Sequence, residues 1–317
     1  MADALLKENC VPRRIWGKSG LSVPVIPFGT QGFGNNFGPV TDDEAMGLIR
    51  RAVDLGVNHF DCARCYGDSL RKLGLAIKEG VVKRDEIIIS GRLCCHSGAK
   101  WGGYGEGRAD YSAARADADV ADQLEILGTT FFDAMLIHDP GEIEPTLAAD
   151  GVLDALKHCK EEGSIRNVGY GMNPPEFHLK AIEEGDIDLL LTFDRFNLFG
   201  QDSATDIIPA ATEKGIGVMN GWVIKRGWLT GVPVEKFIPR DKWKPGSEPE
   251  RADKMRLWCE ERGISLLSLA LHYCLRDERV HANPLGNLNI EQLEANVTAV
   301  LNPPAPDVFA RFDEAGL

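Results

Sequence analysis

The chain has 317 residues, 44% of them hydrophobic, enough to bury a large core as one big domain or two ordinary ones. Its 35 basic and 48 acidic side chains leave a formal net charge of -13, which argues against nucleic acid or an anionic membrane as a partner. No run is long enough to span a bilayer, and residues 1–10 lack the apolar core of a signal peptide. The eight cysteines are scattered through apparent strands, helices and strand ends, so a reducing, cytoplasmic setting is expected rather than a disulfide framework.

In chain order, residues 23–29 read as a short apolar strand opening into the glycine-rich loop Thr30-Gln31-Gly32-Phe33-Gly34-Asn35-Asn36. Ala45, Leu48, Ile49, Ala52, Val53 and Leu55 recur near the helical period and predict a helix over 42–55, closed by Gly56. Strand 57–60 ends on Asp61. Asp68 or Ser69 can cap the next helix, 69–78, which puts Tyr66 at that helix's mouth. Strand 86–89 runs into Ser90-Gly91-Arg92-Leu93-Cys94-Cys95-His96, and the long loop 97–110 mixes glycines and aromatics with charges, as lids and binding loops do.

Helix 112–127 leads to strand 131–137, which ends at His138-Asp139-Pro140. Helix 151–162 and strand 165–170 follow, ending at Gly171-Met172-Asn173. Helix 175–184, strand 187–192 (ending at Phe193), helix 204–214 and strand 216–219 (ending at Asn220-Gly221-Trp222) continue the alternation. A polar segment, 225–247, reads as a second loop over the same rim, before helices 250–262 and 266–275, strand 280–285 and helix 290–300. Strand then helix, eight times over, with short apolar strands and no break in composition, predicts a single-domain (β/α)8 barrel over residues 1–317.

At the carboxyl rim such a barrel gathers Asp61, Tyr66, Arg92, His138, Asn173 and Trp222. An acid, a phenol, a cation and an imidazole suit proton transfer to or from an oxygen. A neighbouring cation favours the phenolate, and a buried carboxylate can hold the cation in place.

These residues, with Gly20-Leu21-Ser22-Val23, Phe28-Gly29-Thr30, Gly56-Val57-Asn58-His59-Phe60-Asp61, Tyr66-Gly67-Asp68-Ser69, Leu136-Ile137-His138-Asp139-Pro140, Val168-Gly169-Tyr170-Gly171-Met172-Asn173 and Glu291-Gln292-Leu293-Glu294-Ala295-Asn296, make the chain resemble the aldo-keto reductase superfamily from Gly17 to about Val300. Within it the chain looks most like the aldose 1-dehydrogenases. The resemblance implies an NAD(P)-dependent oxidoreductase of carbohydrate metabolism, with a sugar as small-molecule substrate and the oligomeric state left open. It makes Tyr66 the acid/base, Asp61 the carboxylate behind it, and His138 the residue that orients the substrate oxygen. It gives Gly29, Thr30, Asn173, Trp222 and Arg226, with the loop at Gly286, Asn287 and Asn289 and the residues Gln292 and Asn296, to the dinucleotide.

The chain also departs from the family. Arg92 stands where the family has a lysine; it holds its charge but cannot relay a proton. Leu70 and Phe193 replace a glutamate and a glutamine. Leu288 replaces the arginine that clamps a 2′-phosphate in many NADP users, which favours NAD, with Lys225 or Arg226 as the alternative clamp. Arg92 leaves two other classes open, a non-redox sugar lyase or isomerase and a redox-silent nucleotide-binding protein. Cys62, Cys65, Cys94, Cys95 and His96 have donor types that suit zinc, but they read as small fillers and no metal is expected. His59, His158 and His178 read as structural, and Trp101, Trp228 and Trp243 as stacking or loop-pinning residues.

Overall fold

The structure, a computed structural model, describes residues 10–94 and 110–317. Cys95, His96, Trp101 and nearly all of the expected lid loop lie outside the described residues.

The expected first strand is two elements. β1 (Arg13–Ile15) and β2 (Ser22–Pro24) form an antiparallel hairpin, and only β3 (Phe28–Gly29) enters the barrel. Pro24 and Pro27 have no N–H to donate to a ladder, which breaks the apolar run between the two. The hairpin plugs the barrel: Trp16 is fully buried and packs with Val23, Leu136, Leu189 and Met219.

Seven more strands follow: β4 (His59–Asp61), β5 (Ile88–Cys94), β6 (Ala134–His138), β7 (Val168–Met172), β8 (Leu189–Phe193), β9 (Gly217–Gly221) and β10 (Leu285–Gly286). All pair in parallel in the order β10-β3-β4-β5-β6-β7-β8-β9. The expected strand 280–285 is a ladder only at its end. Its earlier residues close the barrel singly, Asn220 donating its N–H to the Ala282 carbonyl (2.9 Å) and Asn283 to Val25 (2.8 Å). The protein is a (β/α)8 barrel.

Helix Asp42–Asp54 opens on a capping box between Thr41 and Glu44 and buries Ala45, Leu48, Ile49 and Ala52, the predicted stripe. Helix Ser69–Lys78 has the predicted bounds, but Asp68 at its N-cap uses its carboxylate on Arg71 and caps nothing. The expected helix 204–214 shortens to Ile207–Glu213 behind a 3-10 turn. Helix Asp307–Glu314 was not anticipated; it buries Val308 and Phe312 in a second apolar cluster. Trp228 lies in that cluster too, and Trp243 donates its indole N–H to the Ile238 carbonyl, so both pin the segment after β9.

Candidate active site

The rim is built from strand ends held in fixed register. β5 runs five residues beyond the apolar run that announced it, so Ser90, Arg92 and Cys94 are strand residues on one face. Ser90 pairs in register with Asp61, and Cys94 with His138. The extension was illegible because serine, glycine and arginine interrupt the hydrophobic run.

Asp61, 2% exposed, accepts from Arg92 Nη2 at 2.5 Å, Arg92 Nε at 3.4 Å and Ser90 Oγ at 3.1 Å. Because the Ser90 hydroxyl donates to Asp61, it must accept from His59 Nε2, 2.9 Å away. Burial holds the His59 imidazole down to about 4, so it is neutral with its proton on Nε2. Burial works against the charge of Arg92, but Asp61 and the Tyr66 phenol outweigh it and raise the guanidinium pKa. Its Cζ lies 5.6 Å from the centre of the Tyr66 ring, and the His138 ring meets Tyr66 edge-on at 6.1 Å. Asp61, Tyr66, Arg92 and His138 therefore converge.

Backbone fit holds Tyr66 in place. A Cβ on Gly34 would fall 1.9 Å from the Tyr66 carbonyl oxygen, and one on Gly67 would fall 2.1 Å from the Gly34 oxygen. Gly67 has φ +57°, so the Tyr66–Gly67 turn and the glycine-rich loop lock together only without side chains. Lys72 ties the loop down, its buried Nζ donating to the Phe33 carbonyl and Asn35 Oδ1, both at 2.9 Å, and to the Val40 carbonyl. Nothing in the sequence singled Lys72 out. Lys72→Met orphans these acceptors at about 1–3 kcal/mol each where they stay dry. It is expected to lower stability by at least about 2 kcal/mol, read as the urea midpoint.

His138 is flanked by thiols: its Nδ1 is 3.5 Å from Cys65 Sγ and 3.7 Å from Cys94 Sγ, and its Nε2 is 3.4 Å from Asp139 Oδ2. The Cys94 thiol donates to Cys65, which lowers the Cys65 pKa and raises that of Cys94. Cys62 is the filler it was expected to be, fully buried with its thiol pushed up to about 12 by burial.

The residues assigned to the dinucleotide lie along the rim from β3 and β10 round to β9. Gly29 and Gly286 are register partners. Thr30 is buried, with its N–H and hydroxyl both on the Asp61 carbonyl (3.0 and 3.1 Å), so it supports the strand end that carries Asp61. Asn289 caps helix Ile290–Leu301 through the Gln292 N–H, and Gln292 Oε1 accepts from Leu288 N–H. Asn296 donates to Asn287 Oδ1 at 2.8 Å, and both are buried. Gln292, Asn287 and Asn296 thus shape the loop from within.

Asn173 donates to the Phe193 carbonyl (2.8 Å) and accepts from Arg195 Nη2 (3.3 Å), a partner the sequence did not suggest. His178 sets the end of β7: its Nε2 donates to the Met172 carbonyl at 2.9 Å, and burial pushes its pKa down to about 4. Its folded pKa lies below the unfolded value, so its contribution is full above about pH 6.5 and is lost as pH falls toward 4. His178→Gln, which keeps a donor, should flatten the loss of stability over that window by on the order of 3 kcal/mol. Urea midpoints of both proteins between pH 7 and pH 4 measure it.

Trp222 is 40% exposed, with its ring between Phe193 (5.5 Å) and the Arg226 guanidinium (4.6 Å). Trp222, Lys225 and Arg226 all have positive φ (63°, 45° and 56°), strain that clusters at binding sites. Lys225 is buried between Asp194 (2.5 Å) and Glu248 (2.7 Å), whereas its neighbour Arg226 is exposed.

The sequence profile described as Aldo/keto reductase family matches residues 25–316. An L-galactose dehydrogenase of Arabidopsis thaliana is 30% identical over 296 residues, covering 90% of this chain and 87% of that one. A D-threo-aldose 1-dehydrogenase of a Pseudomonas species is 27% identical over 328 residues, covering 94% and 96%. Among solved structures, the holo form of an aldo-keto reductase from Bacillus halodurans superposes with a TM-score of 0.80 at 24% identity, over 96% of each chain, and speaks for the fold. With the profile spanning nearly the whole barrel, the chain belongs to the aldo/keto reductase family and is an oxidoreductase.

Proposed function

We propose that the protein transfers hydride between NAD(H) and an aldose or similar small polyhydroxylated carbonyl or alcohol, with Tyr66 as acid/base. The observation that carries this reading is the buried Asp61–Arg92 pair held against Tyr66. A charged guanidinium beside a phenol stabilises the phenolate, so Tyr66 can give a proton to a carbonyl oxygen in reduction and take one from a hydroxyl in oxidation. Asp61 fixes the fork, and His138 orients the substrate oxygen. The sugar class is supported by the L-galactose and D-threo-aldose dehydrogenases that the chain resembles.

The rim residues fit a dinucleotide. Gly29 and Gly286 leave a floor without side chains, where a Cβ on Gly286 would meet nothing nearer than 4.0 Å. The amino end of helix Ile290–Leu301 favours an anion, and the exposed Trp222 offers a ring face. When bound, NAD(H) supplies or accepts the hydride. Asn173 would hold its carboxamide end, and the loop at Gly286, Asn287 and Asn289, shaped by Gln292 and Asn296, its adenosine end.

With Leu288 half-exposed on that loop and no arginine there, titration is expected to show NADH bound at least as tightly as NADPH. A strong NADPH preference would transfer the phosphate clamp to Arg226. Arg92 favours one alternative, a non-redox step on a sugar, because a guanidinium cannot relay a proton. Sugar turnover without a nicotinamide absorbance change would select it.

A further inference from the structure

We propose that Cys65, Cys94 and His138 form a binding site for a zinc-class divalent ion beside Tyr66, with three protein donors among the described residues and a fourth position for one further ligand. The set differs from the one the sequence suggested. Cys62 is sealed in the core, and His96 lies outside the described residues.

The spacing matches a coordination sphere before any ion is added. Zinc bonds of about 2.3 Å to sulfur and 2.0–2.1 Å to nitrogen, set tetrahedrally, imply sulfur–nitrogen edges of roughly 3.5–3.6 Å and a sulfur–sulfur edge of about 3.8 Å. Here the two sulfur–nitrogen distances are 3.5 and 3.7 Å, and all three donor atoms lie within 4.8 Å of one another. The donors sit on rigid backbone. Cys94 and His138 are register partners on adjacent strands, and Cys65 lies in the turn clamped by Gly34 and Gly67.

Charge agrees with geometry. A divalent ion with two thiolates and a neutral imidazole is neutral overall, and the nearby Arg92 charge is already matched by Asp61. On binding, the thiols become thiolates and their protons leave to solvent. Two thiolates and one imidazole is a set that zinc proteins use with an open fourth position. Asp139, 3.4 Å from the far ring nitrogen of His138, stands where outer-shell carboxylates steady a ligating histidine. An ion here takes Nδ1 of the histidine that we assign to the substrate, so occupancy and turnover are linked.

The site shares His138 with the proposed active site but does not depend on the oxidoreductase reading. The test titrates the reduced, chelator-stripped full-length protein with zinc against a chromophoric chelator, then with cobalt. Expected are one zinc per chain, a near-ultraviolet thiolate-to-cobalt charge-transfer band and the strong visible bands of a tetrahedral site. Cys65→Ser and Cys94→Ser should each remove the charge-transfer intensity in part and weaken zinc at least tenfold, while Cys259→Ser, at a cysteine buried in the second apolar cluster away from these donors, leaves both unchanged. Asp139→Asn should weaken zinc by ~10–100-fold, as outer-shell changes do. Circular dichroism and melting of each variant show that it is folded. Failure to bind zinc, or binding indifferent to both serine variants in folded protein, overturns the site and leaves the hydride-transfer reading intact.

Discussion

Tyr66→Phe is expected to lower turnover by at least ~100-fold while leaving NADH affinity nearly unchanged, because it removes a proton donor and almost nothing else. The ring keeps its edge-on packing with His138 and its place beside Arg92, and the backbone lock among Gly34, Tyr66 and Gly67 does not involve the hydroxyl. A fall in turnover thus cannot be assigned to a moved loop. Single-turnover kinetics on an aldose with saturating NAD, paired with a fluorescence titration of NADH, separate the chemical step from binding. Turnover retained within a few-fold would remove Tyr66 from the mechanism and return the site to a binding or non-redox reading.

The elements that carry a repeating apolar pattern were legible in the sequence. Helix Asp42–Asp54, with its stripe and capping box, and helix Ser69–Lys78 announce themselves, and each strand that precedes a rim residue was found, although the bounds of β3, β5 and β10 differ from those expected. Where periodicity stopped, so did legibility. The antiparallel hairpin was hidden because β2 and β3 form one apolar run on the page, and only Pro24 and Pro27 hint that it is broken.

Asp61, Tyr66 and His138 could be named because the family motifs carry them, and Arg92 because it stands in the place of the family's lysine; the barrel brings the four together. Their supports could not be named. Ser90 and His59 under Asp61, Arg195 on Asn173, and Lys72 under the glycine-rich loop are single polar residues whose partners lie 20 to 40 positions away. The cysteine–histidine cluster was legible only in part: the sequence grouped Cys62, Cys65, Cys94, Cys95 and His96, and strand register adds His138 by pairing it with Cys94.

Arg92→Met is expected to destabilise the fold by about 3–5 kcal/mol and to cut turnover by ~100-fold or more, two effects that a second substitution can separate. The stability loss arises at Asp61. With the fork gone, a carboxylate 2% exposed keeps, among the described residues, the Ser90 hydroxyl as its one side-chain donor, and a buried charge without its partner is costly. Asp61→Asn in the same protein removes that charge and leaves an oxygen to accept from Ser90, so most of the lost stability should return in urea unfolding. Turnover should not return, because neither variant places a positive charge beside the Tyr66 phenol to favour its phenolate. Arg92→Lys is the complementary control. It restores one charge but not the two-point fork, so turnover on simple aldehydes should be preserved or raised while part of the stability loss remains. If the double variant recovered turnover together with stability, Arg92 would be a structural partner of Asp61 only, and the acid/base role of Tyr66 would have to rest on His138 alone.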